Sequence, residues 1–128
     1  MNVKHVGLVS GSERNADKFF EELLGLKKAE PKTLPAALSQ ALFDVNSDLI
    51  VINYLNDYAH FEIFISGAYK SSRRPIQHVC LEVDDLPSFL QKCRRLDVQI
   101  LQIRKEDSQL TFISDYDGNL FEIKKKVR

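Results

Sequence analysis

A chain of 128 residues can bury one core of ordinary size, and 44% hydrophobic with 28% charged residues describes a globular protein rather than a disordered or fibrous one. Lys+Arg and Asp+Glu both number 18, so no net field draws the chain to nucleic acid or to an anionic membrane. The basic tail Lys124-Lys125-Lys126-Val127-Arg128 and the pair Arg73-Arg74 read as solvated charge. No apolar run approaches the roughly 20 residues of a membrane helix. The N-terminus lacks the apolar region of a signal peptide, which predicts a cytoplasmic location. Cys80 and Cys93 form no Cys-x-x-Cys pair and read as two buried, reduced thiols.

In chain order, His5-Val6-Gly7-Leu8-Val9 is an apolar, β-branched strand opened by a histidine. Ser12 can cap the helix that follows. Its apolar residues Ala16, Phe19, Phe20, Leu23 and Leu24 fall on one stripe, and Gly25 ends it. Leu26 to Glu30 is a weaker strand. Pro35 to Leu42 has the composition of a short helix, within a segment from Pro31 to Asp48 that is otherwise hard to place. Leu49 to Leu55 and His60 to Ile65 are strands with a turn at Asn56-Asp57-Tyr58.

After a linker over residues 67–76, His78 to Val83 repeats the histidine-led strand. Asp84 or Asp85 caps a second helix, with Pro87 in its first turn and a stripe of Leu86, Phe89, Leu90, Cys93 and Leu96. Strands follow over Val98 to Ile103, Leu110 to Ser114 and Leu120 to Lys125. The Asp117-Gly118 pair between the last two is a hairpin signal. The chain thus reads as one α+β domain over residues 1–128, built of two tandem βαβββ modules at about 3–66 and 77–126.

Each module opens on a histidine and closes on Phe-Glu-Ile: His5 with Glu62, and His78 with Glu122. A lone strand glutamate usually faces solvent, and a lone histidine is rarely a ligand. A carboxylate between Phe and Ile, at the same point of two repeats, points instead to a paired or metal-bound group. If the modules pair about a pseudo-twofold axis, two imidazoles and two carboxylates face one cavity. That donor set suits Zn, Ni, Co, Mn or Fe and leaves positions open for substrate. His60, two residues before Glu62, reads as a partly exposed strand-start residue, with a substrate contact or an alternative ligand as the other readings. Tyr54, Tyr58, Tyr69 and Tyr116 are given no role.

These motifs, with Leu-Leu-Gly-Leu after the first helix and Asp-Tyr-Asp-Gly-Asn-Leu-Phe-Glu-Ile at the close, resemble the glyoxalase/bleomycin-resistance/extradiol-dioxygenase (vicinal oxygen chelate) superfamily. The resemblance implies a curved, half-open barrel-like sheet around a metal cavity. It places one divalent metal on His5, Glu62, His78 and Glu122, an arrangement most like glyoxalase I. In that enzyme an arginine stands where this chain has Val9 and an asparagine where it has Ser66, both binding glutathione. Arg74 matches a glutathione-contacting arginine of some members.

The implied activity is that of a lyase or isomerase, lactoylglutathione lyase-like or epimerase-like. Glu122 or Glu62 would take a carbon-bound proton while an enediolate is stabilised on a small substrate with adjacent oxygens. Two alternatives stand beside it: a non-catalytic, drug-sequestering protein, and a non-haem iron dioxygenase using His5, His78 and Glu122. A homodimer is expected, with modules paired within or between chains.

Overall fold

The computed structural model describes residues 1–67 and 75–127. The linker residues Tyr69, Arg73 and Arg74, and the terminal Arg128, lie outside them. The chain divides into two compact units, Met1–Tyr69 and Lys70–Arg128.

In the first unit β1 (Val6–Ser10) leads into helix α1 (Glu13–Ala16), capped as expected by the Ser12 hydroxyl, which accepts from the Asn15 N–H at 3.1 Å. The helix continues as a π-helical stretch, Asp17–Leu23, whose wider turn is marked by the Leu24 N–H donating to the Phe19 carbonyl. Apolar spacing alone predicts only the stripe, and that stripe is kept: Ala16, Phe19, Phe20 and Leu23 are all buried. Gly25, at φ +73°, ends the helix where a side chain would be strained.

Four further strands follow: β2 (Lys27–Lys28), β3 (Lys32–Leu34), β4 (Leu49–Leu55) and β5 (His60–Ile65). The expected strand over Leu26 to Glu30 shrinks to two residues. The three-residue β3, held between Pro31 and Pro35, is too short to show a period and was not foreseen. The short helix is present as α2 (Ala36–Phe43). The sheet order is β1-β5-β4-β2, with β3 also on β4; β1 and β5 run parallel and the other pairs antiparallel.

Phe20 packs on Tyr54 and Phe61, ring centroids 5.5 and 5.4 Å away, so one sheet face is closed by the π-helical stretch that continues α1. Asp17 ties the helix down at its edge, accepting from the Tyr54 hydroxyl at 2.7 Å and from the Lys28 ammonium at 3.0 Å. Burial, reinforced by Asp17, holds the Tyr54 phenol far above its ordinary value, so it stays a neutral donor.

The second unit repeats the plan with fewer elements: β6 (His78–Val83), α3 (Leu86–Arg95), β7 (Gln99–Lys105), β8 (Ser108–Ser114) and β9 (Leu120–Lys125), in sheet order β6-β9-β8-β7. The parallel pair is again first strand with last. Asp85 is the cap of α3, its carboxylate accepting from the Ser88 N–H at 3.0 Å, and Leu90 and Cys93 are buried. Lys92, Arg94 and Arg95 lie in the last turn, where cations complement the helix dipole. Tyr116 donates its hydroxyl to the Leu96 carbonyl and pins the β8–β9 turn to the end of α3. Cys93 is buried as expected, but Cys80 is exposed: its alternate position on β6 puts it on the face opposite that helix.

Asp115 opens the β8–β9 turn, accepting from the Asp117 and Asn119 N–H groups and from the Asn119 amide. Gly118, at φ +92°, supplies the conformation the sequence pattern demanded. Burial pushes the Asp115 carboxyl up to about 6, against the opposing pull of the Asn119 donors. The folded state therefore keeps this proton to higher pH than the unfolded chain does. The group's contribution to stability grows as pH falls below about 6 and is lost as pH rises through it. Acidifying from about pH 7 to about pH 5 is expected to add about 1 kcal/mol in urea unfolding relative to Asp115→Asn, which lacks the titration. In the first core, Phe20→Ala is expected to cost about 3–5 kcal/mol in the same assay.

Candidate metal centre

Parallel pairing of first and last strand fixes where the predicted ligands go. In the first unit Gly7 lies opposite Glu62, so the side chains of His5 and Glu62 emerge on one face, away from the Phe61 and Ile63 side chains buried on the other. His5 stands just before β1, its Nε2 3.7 Å from Glu62 Oε1. The imidazole of His60 lies beside that of His5, centroids 5.5 Å apart, and its Nε2 meets Asn53 Oδ1 at 2.7 Å. Asn53 is the β4 residue opposite Glu62. Sequence reading did not single it out; its only signal is a lone amide in the apolar run of β4.

In the second unit Cys80 lies opposite Glu122, and His78 Nε2 stands 3.7 Å from Glu122 Oε1, the same separation as in the first pair. His78 Nδ1 lies 2.8 Å from the Ile76 carbonyl. A carbonyl can only accept, so Nδ1 carries a proton, and Nε2 is the nitrogen turned toward Glu122. The Phe112 ring packs edge-on against His78 at 5.3 Å and fixes its plane. Both glutamates are half-buried, with side-chain exposure of 26% for Glu62 and 17% for Glu122. Partial desolvation, with the Glu122 carboxylate beside it, raises the Cys80 thiol above its ordinary value, which keeps it a thiol at neutral pH.

The structure thus brings together two of the four predicted ligands in each unit. Among the described residues no three His, Cys, Asp or Glu side chains form a ready-made ligand group. Each pair by itself fits a shared cation. Two donors on one ion at roughly 2.1 Å each stand at most about 4.2 Å apart. A separation of 3.7 Å lies within that limit and is too long for a direct hydrogen bond. At His78 the Nε2 atom faces a carboxylate oxygen, and a positive charge placed between a neutral imidazole and that carboxylate would be stabilised by both. The carbonyl on the far nitrogen is the outer partner that ligating histidines commonly have.

Comparison with known proteins identifies the family and the fold. The sequence profile of the Glyoxalase/Bleomycin resistance protein/Dioxygenase superfamily matches residues 2–123, and the chain belongs to that superfamily. No curated protein matches it by sequence. Among solved structures, a glyoxalase family protein from Bacillus cereus superposes with a TM-score of 0.76 at 14% identity, over 100% of this chain and 95% of that one. A glyoxalase family protein from Enterococcus faecalis gives 0.72 at 17% identity, over 95% of each chain. A variant of the fosfomycin resistance protein FosX from Listeria monocytogenes, complexed with Mn(II) and a dihydroxypropylphosphonic acid, gives 0.71 at 11% identity, over 96% of this chain and 88% of that one.

The proton on His78 can be read directly. Nitrogen-15 spectra at neutral to mildly alkaline pH are expected to show the Nδ1–H tautomer for His78, and to lose that preference if residue 76 is replaced by proline-flanked insertions that displace its carbonyl.

Proposed function

We propose that the chain is a metal-dependent lyase or isomerase, and that His5, Glu62, His78 and Glu122 are halves of one divalent-metal site. The two halves would be supplied by one chain or by two chains of a homodimer. The observation that carries this reading is the repeated His–Glu pair, at 3.7 Å in both units, on equivalent strands of equivalent sheets. Membership of a superfamily in which a FosX structure is described with Mn(II) supports a divalent cation.

A bound divalent ion would withdraw charge from adjacent substrate oxygens and so acidify a neighbouring C–H. The remaining work falls to this chain's own groups. Glu62 and Glu122 are half-buried side chains, held by flanking residues buried on the opposite face, and either one, loosened from the metal, would accept the carbon-bound proton. His78 is held in one tautomer by Ile76, and His5 is bracketed by His60, which Asn53 orients. The substrate would be a small molecule with adjacent oxygens.

Elemental analysis of purified protein is expected to find a transition metal that is lost in the His5→Ala/His78→Ala double variant. Glu122→Gln or Glu62→Gln is expected to slow exchange of the substrate's carbon-bound proton with deuterated solvent by about 10²–10⁴-fold. Unchanged exchange in both would remove the carboxylates from the mechanism. Protein that takes up no metal even on reconstitution, yet binds ligand, would be a sequestering protein of the same fold instead.

A further inference from the structure

The His5/Glu62 face of the first sheet changes character along its strands. Strand alternation gathers His5, Asn53, His60 and Glu62 at one end. One step further along the same face come Val9 on β1 and Phe64 on β5, which are register partners. Here the C-terminal end of α2 lies over the sheet: the Phe43 ring packs edge-on against Phe64, centroids 5.2 Å apart. Between them is a cavity of about 370 Å³, lined by Gly7, Val9, Phe43, Val45, Leu49 and Phe64 among others. Among the described residues no lining residue is charged, and Ser66 carries the single polar side chain.

Gly7 joins this cavity to the His5–Glu62 end. It is the register partner of Glu62 and also lines the cavity. A Cβ there would meet Phe64 Cε2 at 3.5 Å, an ordinary contact, so alanine would fit while a branched side chain would grow into the opening. Phe64 stands two residues beyond Glu62 on the same face, roughly 7 Å along the strand. A ligand seated in the cavity therefore reaches the carboxylate within the length of one small molecule.

We propose that the substrate carries an apolar group, a single aromatic ring or a short branched alkyl, which occupies this cavity while its adjacent oxygens lie at His5 and Glu62. The proposal rests on the metal-dependent reading above and adds the substrate class. The volume is at the lower end for small-molecule sites, enough for such a group. A glutathione adduct would bring carboxylates and an ammonium to walls whose described residues offer them no charged partner, and burying unpaired charge is strongly unfavourable. Two of the three positions that the resemblance ties to glutathione, Val9 and Ser66, are walls of this cavity, and the third, Arg74, lies outside the described residues.

Mandelate and glycolate differ by one phenyl ring on a shared pair of adjacent oxygens, which makes them the discriminating probes. Titrated into Mn(II)-loaded protein, mandelate is expected to bind at least about tenfold more tightly than glycolate. Val9→Asp and Gly7→Val, each checked for folding by circular dichroism and for unchanged Mn(II) content, are expected to remove most of that preference. Equal binding of the two acids, a preference that survives both variants, or tighter binding of S-lactoylglutathione than of mandelate would each overturn the proposal. If the protein holds no Mn(II), benzyl alcohol reads the cavity alone. Shifts at the Val9 and Phe64 amides that vanish in Gly7→Val would uphold the apolar subsite while removing the metal reading, and no shifts there would remove the subsite as well.

Discussion

The parallel pairing of first strand with last is the constraint on which the rest of each unit depends. β1 lies against β5 and β6 against β9, although each pair is separated by nearly a whole module of sequence. Parallel neighbours cannot be joined by a tight turn, so the chain must cross over through a helix. That crossover covers one sheet face and buries the Phe-x-Ile side chains of the last strand beneath it. The glutamate between them is left on the open face beside the histidine of the first strand. Packing and chemistry thus come from one arrangement, and the period of two along a strand separates them.

Within that plan the two sheets differ in what surrounds the shared pair. Opposite the glutamate stand Gly7 in one and Cys80 in the other. On the antiparallel neighbour stand Asn53 in one and Phe112 in the other. The first unit adds α2 and β3, and with them the apolar cavity; the second has a plain hairpin between β7 and β8. His78 is oriented by a backbone carbonyl and an aromatic edge, whereas His5 has a second imidazole beside it. The common residues are those of the proposed cation site, and the differing ones are where the surroundings of the two pairs diverge.

Most of the fold was legible in the sequence because the signals were periodic and local. The stripes of α1 and α3, the Ser12 and Asp85 caps, the Gly25 stop and the Asp117-Gly118 turn each state a backbone requirement within a few residues. The His–Glu pairing was legible only because it occurs twice. What could not be read depended on distant packing or on segments too short to show a period. The π-helical turn leaves the apolar stripe unchanged, and β3 exists only by pairing with β4. The exposure of Cys80 follows from which sheet face the helix covers, and a six-residue apolar strand does not declare that. The Phe43–Phe64 contact joins residues that no local pattern relates.

The order in which these strands can meet has a kinetic consequence. The antiparallel pairs β4–β5 and β8–β9 close short loops, whereas β1–β5 and β6–β9 span their whole modules and carry the larger loop-closure entropy. Hairpins are therefore favoured early, and the first strand docks late. Each histidine is brought to its glutamate only by that late step, so the pair is absent from partly folded chains. A cation held by such pairs would bind the finished modules and not their precursors, and would draw the population toward the native state by mass action.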